Sequence, residues 1–194
     1  MKKDNYIIKS LNGMAYGFFC SLIIGTIFKQ IGNFANISQL AAWGEVATYL
    51  MGPAIGAGIA YAIDAKGLNL IAAVIAGTIG AGTFNGNTAT TGNPIAAFVA
   101  VIIAVEVTRL VQGKTPVDIL LVPFTSIIVA GIVTIFIGPY ITKLIVWIGD
   151  LINQGVNMQP FFMSIVVAVL MGMALTAPIS SAAIGVMLGL NGLA

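Results

Sequence analysis

The sequence predicts an all-α polytopic membrane protein of about six to seven transmembrane helices. Three observations predict it: scarce charge, long apolar runs, and a bias of Lys and Arg toward alternate span ends. Of 194 residues, 59% are hydrophobic and only 7% charged, where a soluble domain carries about 25% charged residues. With a mean hydropathy of +1.05, a water-facing surface cannot be assembled from what remains. Ordinary soluble enzymes, disordered chains and nucleic-acid-binding domains are excluded together. The net charge of +2 is spread without a basic block and gives no argument for a nucleic-acid partner.

Each crossing needs roughly 17 to 25 residues at about 1.5 Å of rise per residue. The apolar runs give spans at about Leu11 to Phe28, Val46 to Ile63, Leu68 to Gly82, Ile95 to Val111, Ile119 to Ile141, Phe161 to Thr176, and Ile179 to the end. The third and sixth are short. Leu144 to Gln159 fits either a continuation of the fifth span or a segment in the interface plane. With the N-terminus inside, Lys2, Lys3, Lys9, Lys66, Arg109 and Lys114 are cytoplasmic, and Lys29 and Lys143 are outside, the sign expected of a cytoplasmic N-terminus. The first run is long for a signal peptide and no small-x-small site follows, so it reads as an uncleaved helix.

The Gly-Pro dipeptides Gly52-Pro53 and Gly138-Pro139 open matching segments, GPAIGAGIAYAID and GPYITKLIVWIGD. Pro94-Ile95 and Pro178-Ile179 follow at similar distances. The chain is therefore read as one membrane domain, 1–194, with repeat A at about 46–111 and repeat B at about 132–194. Counting spans makes these an inverted-topology repeat, the arrangement in which carriers place a solute site between broken helices. The breaks are Thr83 to Pro94 and Thr176 to Ser181. The first reads either as an Asn-, Thr- and Gly-rich outer loop or as a re-entrant site for an uncharged polyol or an anion at a helix N-terminus. For Ser180 and Ser181 the plain alternative is hydrogen bonding between helices.

Glu106 and Arg109, three residues apart, share a helix face and read as an interfacial ion pair or an inner gate. Glu45 marks the start of the second span or senses cations. Gly113-Lys114-Thr115 lacks the preceding glycine of a phosphate loop, and Gly77, Gly80 and Gly82 lack dinucleotide spacing. These glycines, with Gly13/Gly17, Gly52/Gly56 and Gly185/Gly189, read as close helix packing. His is absent and Cys20 is the single cysteine. Imidazole chemistry is thus excluded within the chain, as is any zinc site built on cysteines, and the residues call for no metal or cofactor.

The run GNPIAAFVAVIIAVEVTRLVQGKTPVDILLVP, Gly92 to Pro123, and QPFFMSIVVAVLMGMALTAPISSAAIGVMLGLNGLA at the end resemble the EIIC-like membrane subunit family of the bacterial phosphoenolpyruvate-dependent sugar phosphotransferase system, in its small second branch. The resemblance covers Leu11 to Ala194. It implies a permease of the bacterial cytoplasmic membrane that binds a sugar-like solute. It also implies a cytoplasmic EIIB-type partner that supplies the phosphoryl group, and a homodimer. Two departures stand out. The chain stops at Asn191-Gly192-Leu193-Ala194 inside an apolar helix, as if a C-terminal portion were missing. It also has no EIIB domain, so phosphoryl transfer would occur only through a separate partner, with no catalytic residue here.

The expected function is a permease subunit in which Asn85, Asn87, Thr88, Asn93, Ser180 and Ser181 hydrogen-bond the solute. Glu106 and Arg109 would act as gate or ion pair. The alternatives are a membrane solute receptor of the same fold without transport, and an ion-coupled exporter using Glu45 or Glu106.

Overall fold

A computed structural model describes residues 3–82, 84–85, 88–89, 92–114, 116–144, 147, 164–165 and 168–169. The chain divides into two units, Met1–Gly138 and Pro139–Ala194. In the first, α1 (Lys3–Phe18), a π-helical turn (Phe19–Ile23) and α2 (Ile24–Phe34) run on as one leg, and α3 (Ser38–Tyr49) and α4 (Met51–Ala62) return as a second. The expected connection from Phe28 to Val46 shrinks to a turn at 35–37. Few residues there oppose a helix, and Asn36 supplies the left-handed conformation (φ 54°) that ends α2 tightly.

Glycine sets the distance between the legs. Gly17 meets the backbone of Ala54, and a Cβ added at Gly25 would lie 2.8 Å from the Gly44 carbonyl oxygen. In lipid, where apolar surface alone gives no drive to associate, such backbone approach is what packs helices. Behind the hairpin stand α5 (Leu68–Ala81), α6 (Pro94–Val111) and α7 (Asp118–Phe136). Gly56 faces Ala73 and Gly77 faces Gly52, so α5 runs antiparallel to α4, and Gly80 faces Ala97 across α5 and α6. Ser126 Oγ donates to the Ala72 carbonyl at 3.0 Å and Thr134 Oγ1 to that of Ile79 at 3.4 Å, which sets α7 parallel to α5. The core is Phe18, Met51, Ile55, Ile59, Ile63, Val101, Val105 and Val122, all essentially buried, with alanines of α5 and α6 between them.

Among the described residues, three helices are long and apolar enough to cross a membrane: Tyr6–Phe34, Pro94–Val111 and Asp118–Phe136. α5 is apolar but shorter, and the second leg is parted at Leu50. The helical membrane class follows the sequence expectation, as does close packing at Gly13, Gly17, Gly56, Gly77 and Gly80, whereas a Cβ added at Gly82 would meet open space and Gly185 and Gly189 lie outside the described residues. The reversal expected between the two Gly-Pro dipeptides is not visible. Gly52 lies against Gly77, and Gly138 lies two residues past α7, which runs parallel to α5, so both sit toward the α5 C-terminal end. An inverted repeat draws no support from their positions.

In the second unit, residues 139–144 are helical. Trp147 and the apolar Leu144, Ile165 and Val169 are exposed. Nearly all of Leu144 to Gln159, and the whole Thr176 to Ser181 break, lie outside the described residues.

Candidate functional site

The polar segment between α5 and α6 is a tip built from caps. Gly82, at φ 66°, closes α5 in the left-handed conformation, and its N–H donates to the Ile79 carbonyl. Phe84–Asn85 (β1) and Thr88–Ala89 (β2) pair antiparallel, with Phe84 opposite Ala89 and Asn85 opposite Thr88. Asn93 then does two things. Its backbone N–H donates to the Ala81 carbonyl at 2.7 Å, and its Oδ1 accepts from the N–H groups of Ile95 (3.0 Å) and Ala96 (3.1 Å). Pro94 at the first helical position completes a favoured helix start.

Asn93 was expected to ligate solute, but its oxygen serves as the cap of α6. Asn85 and Thr88 are placed by their backbone on the paired strands. Asn87, Thr83, Ser180 and Ser181 lie outside the described residues.

Depth follows from the packing. Lys9 Nζ pairs with Asp64 at 3.7 Å near one end of the hairpin, and Lys29 Nζ with Glu45 at 3.6 Å near the other. The 20 or so residues between the two lysines rise about 30 Å, the thickness of the hydrocarbon layer. Because Gly17 lies against Ala54 and Gly52 against Gly77, α5 can be set on the same scale. Its 14 residues rise about 21 Å and stop about 7 Å short of the Lys29–Glu45 level. The β1–β2 tip therefore begins below the level of the Lys29–Glu45 pair, and at membrane depth unpaired backbone groups need partners.

The other end of the unit is tied by a polar network. Glu106 Oε1 accepts from Tyr6 Oη at 2.6 Å and from Arg109 at 2.8 Å. The same guanidinium donates to the Ile63 carbonyl, at the C-cap of α4, where a cation suits both an unpaired carbonyl and the negative end of the helix dipole. α1, α4 and α6 are thus joined through one carboxylate and one guanidinium. Asn69, 1% exposed, donates from Nδ2 to Gln112 Oε1 at 2.9 Å, tying the start of α5 to the end of α6. Its Oδ1 has no protein partner. The Gly113 N–H donates to Asp118. Lys66 and Lys114 stand exposed on loops at this end, so Lys9, Lys66, Arg109 and Lys114 share it and Lys29 is opposite.

Sequence reasoning paired Glu106 with Arg109 and missed Tyr6, Asn69 and Gln112. Asn69 alone carried a signal, as the one amide in the apolar run from Leu68 to Gly82. Glu45, expected at the start of the second span, lies inside α3 (Ser38–Tyr49) because the returning helix begins earlier; it pairs with Lys29 and accepts from Tyr49 Oη at 2.9 Å. A groove on α7, lined by Leu120, Leu121 and Phe124, is apolar and offers nothing to a sugar hydroxyl.

The family model described as "Phosphotransferase system, EIIC" matches residues 8–194. No curated protein and no solved structure matches the chain.

Proposed function

The chain belongs to the phosphotransferase-system EIIC family, and from that premise we propose that it binds a sugar or sugar-like solute and carries it across the bacterial cytoplasmic membrane with its N-terminus inside. Membership makes it a membrane component of a sugar phosphotransferase system. The solute, the route and the phosphorylation are our reading.

In that reading, the tip between α5 and α6 is the outer part of the solute site. Asn85, Asn87 and Thr88 offer amide and hydroxyl groups matched to a polyol, which is bound by orientation of many weak hydrogen bonds rather than by charge. Asn93 is a positioning residue: by capping α6 it fixes where the tip meets the helix. Ser180 and Ser181 offer hydroxyl groups of the same chemistry. Tyr6, Glu106 and Arg109 form the inner closure, since opening a path between α1, α4 and α6 requires parting their bonds. The phosphoryl group comes from a cytoplasmic EIIB-type protein, which the lysine-rich end would meet, and two copies of the chain form the working dimer.

The observation that carries the reading is the polar, strand-paired tip set below the Lys29–Glu45 level in an otherwise apolar unit. The test is uptake of radiolabelled hexoses, pentoses and hexitols by cells with and without the EIIB-type partner. Asn85→Ala with Asn87→Ala should abolish uptake of the one accepted solute without changing the amount of folded protein. Asn93→Asp, which keeps the cap, should transport more than Asn93→Ala, whose lost cap costs about 1 kcal/mol. Unchanged uptake in the double variant would remove the tip from the site.

A further inference from the structure

The two legs of the N-terminal hairpin are each interrupted once, and at the same level. In the first leg the α-helix gives way to π-helix over Phe19–Ile23, a single-turn bulge of the kind that bends helices. In the second, Leu50 (φ −80°, ψ 9°) stands between α3 and α4, and three residues on Pro53 has no N–H for the Tyr49 carbonyl. Gly17 lies against Ala54 below this level, and Gly25 against Gly44 and Thr48 above it. Ser21 and Leu50 therefore lie at the same level of the hairpin.

The packing changes at that line. Below it, α4 leans on α5 and α6, and α1 packs on α4. Above it, α2 and α3 pack on each other and on the π-helical turn, and neither makes more than marginal contact with α5, α6 or α7. Within the upper pair the contact is close: Gly25, Gly32 and Gly44 each meet backbone of the opposite leg, and Lys29 pairs with Glu45. The upper pair is one stiff piece joined to the body by two weak points side by side.

We infer that the α2–α3 hairpin is an arm that pivots as a rigid body about a hinge formed by Phe19–Ile23 and Leu50–Pro53, while α1 and α4 stay fixed to the body. Two interruptions at unrelated depths would only curve the legs, but at one depth they act together as a hinge. Thirteen or so residues of α2 beyond Ser21 make a lever of about 20 Å, and a bend of about 20° displaces its end by about 7 Å. The inference concerns the hairpin alone and stands whether or not the β1–β2 tip binds a solute.

The experiment is pulsed electron–electron distance measurement on full-length protein in lipid nanodiscs, in a Cys20→Ser background. Nitroxides at Asn36→Cys and Phe136→Cys read the arm against the body, and Lys66→Cys with Phe136→Cys reads the body alone. The body pair should give one narrow distribution. The arm pair should give a second population displaced by up to about 7 Å, and Pro53→Ala, which restores a donor for Tyr49, should reduce that population. A single narrow distribution from the arm pair, matching the body pair in the unaltered hinge, overturns the inference. That comparison decides the matter even if Pro53→Ala does not fold.

Discussion

The inner and outer halves of the N-terminal hairpin are made of the same materials and end in different surroundings. In the inner half, Met14, Phe18, Ile55, Ile59 and Ile63 are buried, with α1 on α4 and α4 on α5 and α6. In the outer half, Ile24, Phe28, Ile31 and Val46 are exposed, Trp43 by 62% and Phe34 by 88%. Both halves close their two legs with glycine, so glycine-mediated pairing is not what separates them. The difference is a third layer, present behind α4 and absent behind α2 and α3. In lipid an apolar side chain gains nothing by leaving acyl chains for protein unless it packs better there, so only the inner half contributes strongly to stability.

The contrast breaks most visibly at its glycines. Gly17→Val drives a branched side chain into the backbone of Ala54 and should cost about 3 kcal/mol, lowering the melting temperature of the whole unit followed by circular dichroism in detergent. Gly32→Val meets the backbone of Ala41 as closely, yet should open the arm alone. Trp43 emission would shift while the melting temperature of the body holds. A smaller effect is expected from deleting side chains. Ile59→Ala should cost about 2 to 3 kcal/mol, and Ile31→Ala, already 51% exposed, close to nothing. If the two cost the same, the third layer is not what stabilises the inner half.

The smallest effects separate the two polar ends. Tyr6→Phe removes one of two bonds to Glu106 and should cost about 1 kcal/mol, with a measurable coupling to Arg109→Ala in a double-mutant cycle. Lys29 and Glu45 are each 44% exposed, and Lys29→Met should cost no more than about 0.5 kcal/mol, with the difference vanishing at high salt.

Much of this arrangement was legible in the sequence. Gly13, Gly17, Gly52, Gly56, Gly77 and Gly80 were read as packing residues because small side chains at helical spacing have few other uses in an apolar run. Pro94 was read as a helix start from the same local logic, and the Lys and Arg bias set Lys9 and Lys29 at opposite ends, as their pairs with Asp64 and Glu45 have them. The π-helical turn was not legible, because Phe19, Cys20, Ser21, Leu22 and Ile23 favour no particular hydrogen-bond spacing and the bulge follows from how the legs fit. Nor were the bonds of Tyr6 to Glu106 or Asn69 to Gln112, which join residues far apart in the chain and exist only once the helices are assembled. The cap made by Asn93 was not legible for a related reason. An asparagine before proline suits a cap or a ligand, and the cap shows only once the N–H groups of Ile95 and Ala96 point at its oxygen.

The unequal reach of the first hairpin and α5 has a consequence for where the protein resides. The hairpin is cut to an ordinary bilayer, but α5 is about 9 Å too short for one. Acyl chains beside it must compress or splay while those beside the hairpin need not. The unit Met1–Gly138 would thus sit most easily where short or unsaturated lipids have already thinned the bilayer.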